Sequence, residues 1–84
     1  MMTAAAVQCD AVWLRTANYN IAALNSKLAD RVPELRHALQ AGLPACPDAS
    51  RNNFYDVDLP SGRAYIHVRD EKNTVYLIAY SSSN

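Results

Sequence analysis

The side chains of this 84-residue chain that could do chemistry are few: two histidines, two cysteines, and arginines and tyrosines crowded toward the C-terminus. Arg63, Tyr65, His67 and Arg69 stand two residues apart, and Tyr76 and Tyr80 follow. A spacing of two places the first four on one face of a strand. Histidine is the side chain that titrates nearest neutrality and suits general acid–base work. His37 stands apart, beside Arg36 near the expected end of a helix, where both face solvent and no catalytic role suggests itself.

Cys9 and Cys46 form no Cys-x-x-Cys pair, and His37 and His67 lie far from them in sequence, so no metal-ligand set is expected. Two readings of the cysteines stay open: reduced, partly buried thiols, or a Cys9–Cys46 disulfide. Ser61-Gly62 and Ser81 to Ser83 lack the context of a nucleophile elbow. The whole chain holds two glycines, too few for a phosphate-cradling loop. No cofactor is expected.

Composition narrows the class of partner. The length fits one small domain. Eight basic and eight acidic residues give a net charge of zero, whereas nucleic-acid binding leans on neutralising phosphate and favours basic chains. A neutral chain also associates with itself more easily. The segment from Met1 to Leu14 is apolar but has no basic leader, and Gln8 and Asp10 interrupt it. Ala6-Val7-Gln8-Cys9 faintly resembles a lipoprotein cleavage box, but Gln8 is too large for the position before the cysteine. No stretch approaches a transmembrane span. These features place the protein in the cytoplasm of a bacterial or phage-infected cell, without membrane contact.

The elements that must position these residues fall into two halves. Residues 4 to 15 read as a helix capped by Thr3, with a strand as the alternative. Asn18 or Asn20 then caps a helix whose stripe is Ile21, Leu24, Leu28 and Val32. Pro33 ends or kinks it and opens another, with Glu34 in the first turn, Leu35, Ala38 and Leu39 buried, and Gly42 beyond the end. Leu43 to Asn53 reads as a loop, because Pro44, Pro47, Asp48, Ser50, Asn52 and Asn53 discourage regular structure. Phe54–Leu59, Arg63–Arg69 and Thr74–Tyr80 read as strands joined by Pro60-Ser61-Gly62 and Asp70-Glu71-Lys72-Asn73. Ser81 to Asn84 reads as a disordered tail. The expected fold is therefore a single α+β domain over residues 1–84. Two or three short N-terminal helices pack on one face of a C-terminal three-stranded antiparallel meander.

Register follows from sorting side chains by face. Pairing Asp58 with Arg63 and Arg69 with Thr74 gathers Tyr55, Val57, Leu59, Ala64, Ile66, Val68, Val75, Leu77 and Ala79 into the core. The other face then carries Phe54, Asp56, Asp58, Arg63, Tyr65, His67, Arg69, Thr74, Tyr76, Ile78 and Tyr80. Asp58 beside Arg63 is a cross-strand ion pair worth about 0.2–1 kcal/mol. Such a mixture can be the plain solvated side of a sheet. It can equally be a contact surface, since large apolar patches are rarely left bare and Tyr and Arg are enriched at interface hot spots. Trp13 could lie across it and cover it.

Gly62-Arg63-Ala64-Tyr65-Ile66 and Val75-Tyr76-Leu77-Ile78-Ala79-Tyr80, after a helical pair and a loop, resemble the terminal strands of the RelE/ParE toxin superfamily. The resemblance covers about half of the chain. It implies an RNA-cleaving face on which Arg63 and Arg69 hold phosphate and His67 or Tyr80 acts as acid or base. The neutral charge, and Asp56 and Asp58 on that same face, favour a different first expectation. This is a non-enzymatic protein-binding module of inhibitor, immunity or accessory type, using Phe54, Asp56, Asp58, Arg63, Tyr65, His67, Arg69, Tyr76, Ile78 and Tyr80. The partner is then another protein or the chain itself, ahead of RNA or the ribosome. A structural homodimer is the third reading.

Overall fold

The computed structural model describes residues 9–83. The Thr3 cap, the Ala4-Ala5-Ala6 helical signal, the Ala6-Val7-Gln8 part of the cleavage-box resemblance and the last residue of the tail lie outside the described residues. Within them the chain forms β1 (Val12–Leu14), β2 (Asn20–Ala23), a 3-10 turn (Ala29–Arg31), α1 (Val32–Ala41), β3 (Leu43–Pro47), β4 (Phe54–Leu59), β5 (Gly62–Arg69), a second 3-10 turn (Asp70–Lys72) and β6 (Thr74–Ser82). The strands make one six-stranded sheet in the order β1-β3-β4-β5-β6-β2. Only β2, against β6, is parallel. The α+β class stands, but the expected helices on a three-stranded meander do not: one helix packs on a mixed sheet twice as wide.

Three elements account for the difference. The segment around Trp13 is a strand, paired with β3 through Val12↔Ala45, Trp13↔Pro44 and Leu14↔Leu43. The stripe Ile21, Leu24, Leu28, Val32 is no helix. Ile21 and Ala23 alternate into the core opposite Val75 and Leu77, Leu24 is 62% exposed, and Leu28 is buried just before the first 3-10 turn. Neither Asn18 nor Asn20 caps a helix; the asparagine that bonds the backbone here is Asn25. Its Oδ1 accepts the N–H groups of Lys27 (3.0 Å) and Leu28 (3.2 Å) and stops the strand with a turn.

The expected loop at 43–53 contains β3. Its prolines are tolerated because each has a registered neighbour on one side only, Pro44 opposite Trp13 and Pro47 opposite Tyr55. A missing N–H then leaves no ladder broken on the other side.

α1 starts where the sequence places it, with proline in its first turn and Glu34 at its positive end. Leu35 and Leu39 are fully buried on Val57, Ala64, Ile66, Val75 and Leu77 of the sheet. Its C-terminal carbonyls are satisfied in turn: Ala38 by the Gly42 N–H (2.8 Å), Leu39 by the Thr16 N–H (3.1 Å) and Gln40 by Arg15 Nε (3.0 Å). Those last two bonds fix the exit of β1 to the end of α1. Gly42 has φ of +91°, and a Cβ there would lie 2.6 Å from the Trp13 ring. The glycine is needed both for its backbone and for the indole lying over it.

The first hairpin has the expected register, from Asp58↔Arg63 to Phe54↔His67. The second follows expectation from Arg69↔Thr74 to Ile66↔Leu77, then breaks: Tyr65 pairs with Ala79 and Ala64 with Tyr80. One extra residue, Ile78, is accommodated as a β-bulge. From there outward the faces exchange, so Tyr80 packs against the core and Ala79 is exposed. The pairing continues through Arg63↔Ser81 and Gly62↔Ser82.

Candidate functional site

The helix lies on one side of the sheet, and no helix covers the opposite side among the described residues. Alternation assigns its members. Leu43 and Ala45 are buried with the core, which turns Pro44 and Cys46 outward, and with them Trp13 and Asp56, their partners across the ladder. Ala22 faces outward opposite Tyr76 at the far side. The outer face thus spans all six strands, wider than the three-strand patch expected from sequence.

Its centre is an aromatic ladder across β4, β5 and β6. Phe54 and His67 stack with ring centroids 4.0 Å apart and planes 6° from parallel. Phe54 lies 5.7 Å from Tyr65, and His67 lies 6.1 Å from Tyr76. The Arg51 guanidinium caps the other side of Phe54 at 5.2 Å. The rings shield one another, so Phe54, Tyr65, His67, Tyr76 and Ile78 are each half-buried. Trp13, at the β1 edge, is the most exposed aromatic of the face at 66%. Trp13 does not lie across the ladder; it sits on Gly42.

The charges are mostly matched. Arg63 Nε donates to Asp58 Oδ1 at 3.0 Å, the cross-strand pair expected from sequence. Arg69 Nε donates to Glu71 Oε2 at 2.6 Å. The Tyr65 hydroxyl donates to Asp48 Oδ2, while Asp48 Oδ1 accepts from the Ser50 N–H (2.9 Å) and hydroxyl (3.0 Å). The Tyr65 bond, with those from Ser50, holds the Asp48 carboxyl below its usual range and pushes the Tyr65 phenol up. Glu71 is also lowered, first by its own backbone N–H and then by Arg69. The Asp56 carboxylate has no hydrogen bond or ion pair among the described residues.

Of the residues the sequence assigns to this face, Phe54, Asp56, Asp58, Arg63, Tyr65, His67, Arg69, Tyr76 and Ile78 are on it. Tyr80 is the correction: the bulge turns it to the other side, where its hydroxyl lies 2.5 Å from Ser61 Oγ and Arg31 stacks at 5.1 Å from its ring. Ser61 in turn donates through its hydroxyl and N–H to the two Glu34 oxygens (2.5 and 3.0 Å), fastening the β4–β5 turn to the start of α1. The acid–base set His67, Arg63, Arg69 and Tyr80 is therefore not assembled. His67 is held in a stack, each arginine has a carboxylate, and Arg63 and Arg69 are six residues apart on one strand, about 20 Å.

Sequence reasoning missed Asp48, Arg51 and Ala79 and took Trp13 as a cover for the face rather than a member of it; of the two open readings of the cysteines, the structure has the Cys9–Cys46 disulfide. The alternation Leu43, Ala45, Pro47 against Pro44, Cys46 was the available signal for β3, masked by its prolines. The bulge has no signal of comparable strength.

Among the described residues, no three His, Cys, Asp or Glu side chains are placed to share a metal ion, and no helix is long and apolar enough to cross a membrane. No protein-family model, curated protein or solved structure matches the chain, so nothing in those comparisons bears on the RelE/ParE resemblance.

Proposed function

We propose that this chain is a small protein-binding module whose contact surface is the outer face of the sheet. The observation that carries the reading is an aromatic ladder, with Trp13 exposed separately at the β1 edge, on a sheet side that no described helix covers. Tyr, Trp and Arg are the residues from which interface hot spots are built. Rings already locked by stacking lose little freedom when a partner arrives, which favours binding. The mutual pairing of the charges supports a protein partner over a polyphosphate one, since a phosphate would have to displace Asp58 or Glu71 from its arginine. The Cys9–Cys46 bond supports an oxidising compartment rather than the cytoplasm expected from sequence, because such bonds persist where thiols are not kept reduced.

The test is capture of a partner by the wild-type chain and by Tyr65→Ala/Tyr76→Ala, whose fold is verified by NMR. Loss of capture supports the reading; capture indifferent to both changes overturns it.

A further inference from the structure

Beside the ladder, the outer face is indented. A cleft of about 300 Å³ lies between the Cys9–Cys46 disulfide and Arg63, with Asp56 and Asp58 in its lining. A second hollow, about 210 Å³, continues past Arg63 to Ala79. The bulge shapes that hollow: it puts Ser81 opposite Arg63, where unbroken pairing would have put Tyr80, and the small Ala79 opposite Tyr65, where it would have put Ile78. These volumes sit at or below the bottom of the ~300–1,000 Å³ range of small-molecule sites. They suit one inserted side chain better than a cofactor.

The chemistry of that side chain follows from Asp56. Asp56 is half-buried, opposite Cys46 on one side and Tyr65 on the other. Both neighbouring donors are committed elsewhere, the Tyr65 hydroxyl to Asp48 and Arg63 to Asp58. Among the described residues the cleft therefore holds two carboxylates and one guanidinium, with one negative charge unmatched. The disulfide walls it, and Tyr65, which pairs with Asp56, lines the adjoining hollow.

We propose that this cleft receives a basic side chain of the partner protein, arginine above lysine, paired with Asp56. A planar guanidinium makes two parallel bonds to a carboxylate and stacks on an aromatic face, and an ammonium does neither as well. The inference rests on the outer face being the docking surface and adds what the partner must present there.

The experiment is an NMR titration of the full chain with the peptide acetyl-Gly-Arg-Gly-amide and with its neutral citrulline counterpart. The arginine peptide is expected to shift the backbone signals of Cys46, Asp56 and Tyr65 with saturation. The citrulline peptide, and the isosteric Asp56→Asn chain, are expected to bind about fivefold more weakly, as for a half-exposed ion pair. Arg63→Gln, which leaves a second carboxylate unmatched, is expected to tighten binding by a similar factor. Equal responses to the two peptides, or no effect of Asp56→Asn, would overturn the inference. Shifts confined to Phe54, His67 and Tyr76 would overturn it too, while leaving the outer face as a docking surface. Partner capture indifferent to Tyr65→Ala/Tyr76→Ala overturns that docking reading independently of the titration.

Discussion

Reducing the Cys9–Cys46 bond removes a cross-link between the N-terminal segment and β3. The bond spans 37 residues, and closing a loop of that length restricts the unfolded chain by about 3.8 kcal/mol at 25 °C on the chain-entropy model. A domain of this size has roughly 4–13 kcal/mol of total stability, so the bond is a large share of it. The noncovalent hold on the same segment is small: three residue pairs of β1 on β3 and the two bonds from Arg15 and Thr16 to the end of α1. Thermal unfolding followed by circular dichroism, with and without a phosphine reductant, measures the effect. At ~4–8 °C per kcal/mol the expected fall in Tm is about 15–30 °C. Cys9→Ser/Cys46→Ser should reproduce it without reductant and should then be insensitive to reductant. Unreduced protein that shows two titratable thiols when unfolded, or a Tm that moves by less than about 3 °C, would refute the reasoning.

Three further outcomes follow from the same geometry. Ser61→Ala should cost about 1–3 kcal/mol in urea unfolding, because it takes a donor from Glu34 and a partner from Tyr80 at the helix–hairpin junction; a cost near zero would mean the junction is not fastened there. Gly42→Ala should cost about 1–3 kcal/mol for the positive φ and displace Trp13, read as a shift in its fluorescence; unchanged emission would contradict the indole lying on Gly42. The lowered Asp48 carboxyl adds stability above its usual value of 3.8 that is lost as pH falls through its folded-state value, so Asp48→Asn should lessen the loss of stability on acidification below pH 3.8; an acid limb unchanged in the variant would deny Asp48 that role.

The parts of the fold that sequence could reach are those where one periodicity had no rival. Alternation over Phe54–Leu59 and Gly62–Arg69 fixed a register that a one-residue slip would have scrambled. Pro33, Leu35, Leu39 and Gly42 marked a helix by start, stripe and stop. The failures lie where two periods fit equally well. Ile21, Leu24, Leu28 and Val32 satisfy a helical stripe, yet Ile21 and Ala23 also alternate, and the parallel place beside β6 decides in favour of the strand. Pro44 and Pro47 look like strand breakers until it is known that each has a ladder on one side only. The outer face was legible as far as the bulge at Ile78. Beyond it, no local feature of Ile78-Ala79-Tyr80 announces that the faces exchange, which is why Tyr80 was assigned to the wrong side and Ala79 to the core. Trp13 and Cys46 joined the site through β3, a strand that sequence reasoning had placed in a loop.

The central claim, that the outer sheet face is a docking surface, is tested most directly by adding bulk and charge to it without removing any native contact. Ala79 is exposed beside Tyr65, so Ala79→Arg leaves the core and the ladder untouched. Wild type, Ala79→Arg and Tyr65→Ala/Tyr76→Ala, each verified as folded, would be used to capture partners from cells that express the chain, with the bound protein quantified. The account predicts one specific partner held by the wild type and reduced at least about tenfold with either variant, the loss expected when a contact worth more than ~1.4 kcal/mol is removed. A partner retained equally by all three would contradict it.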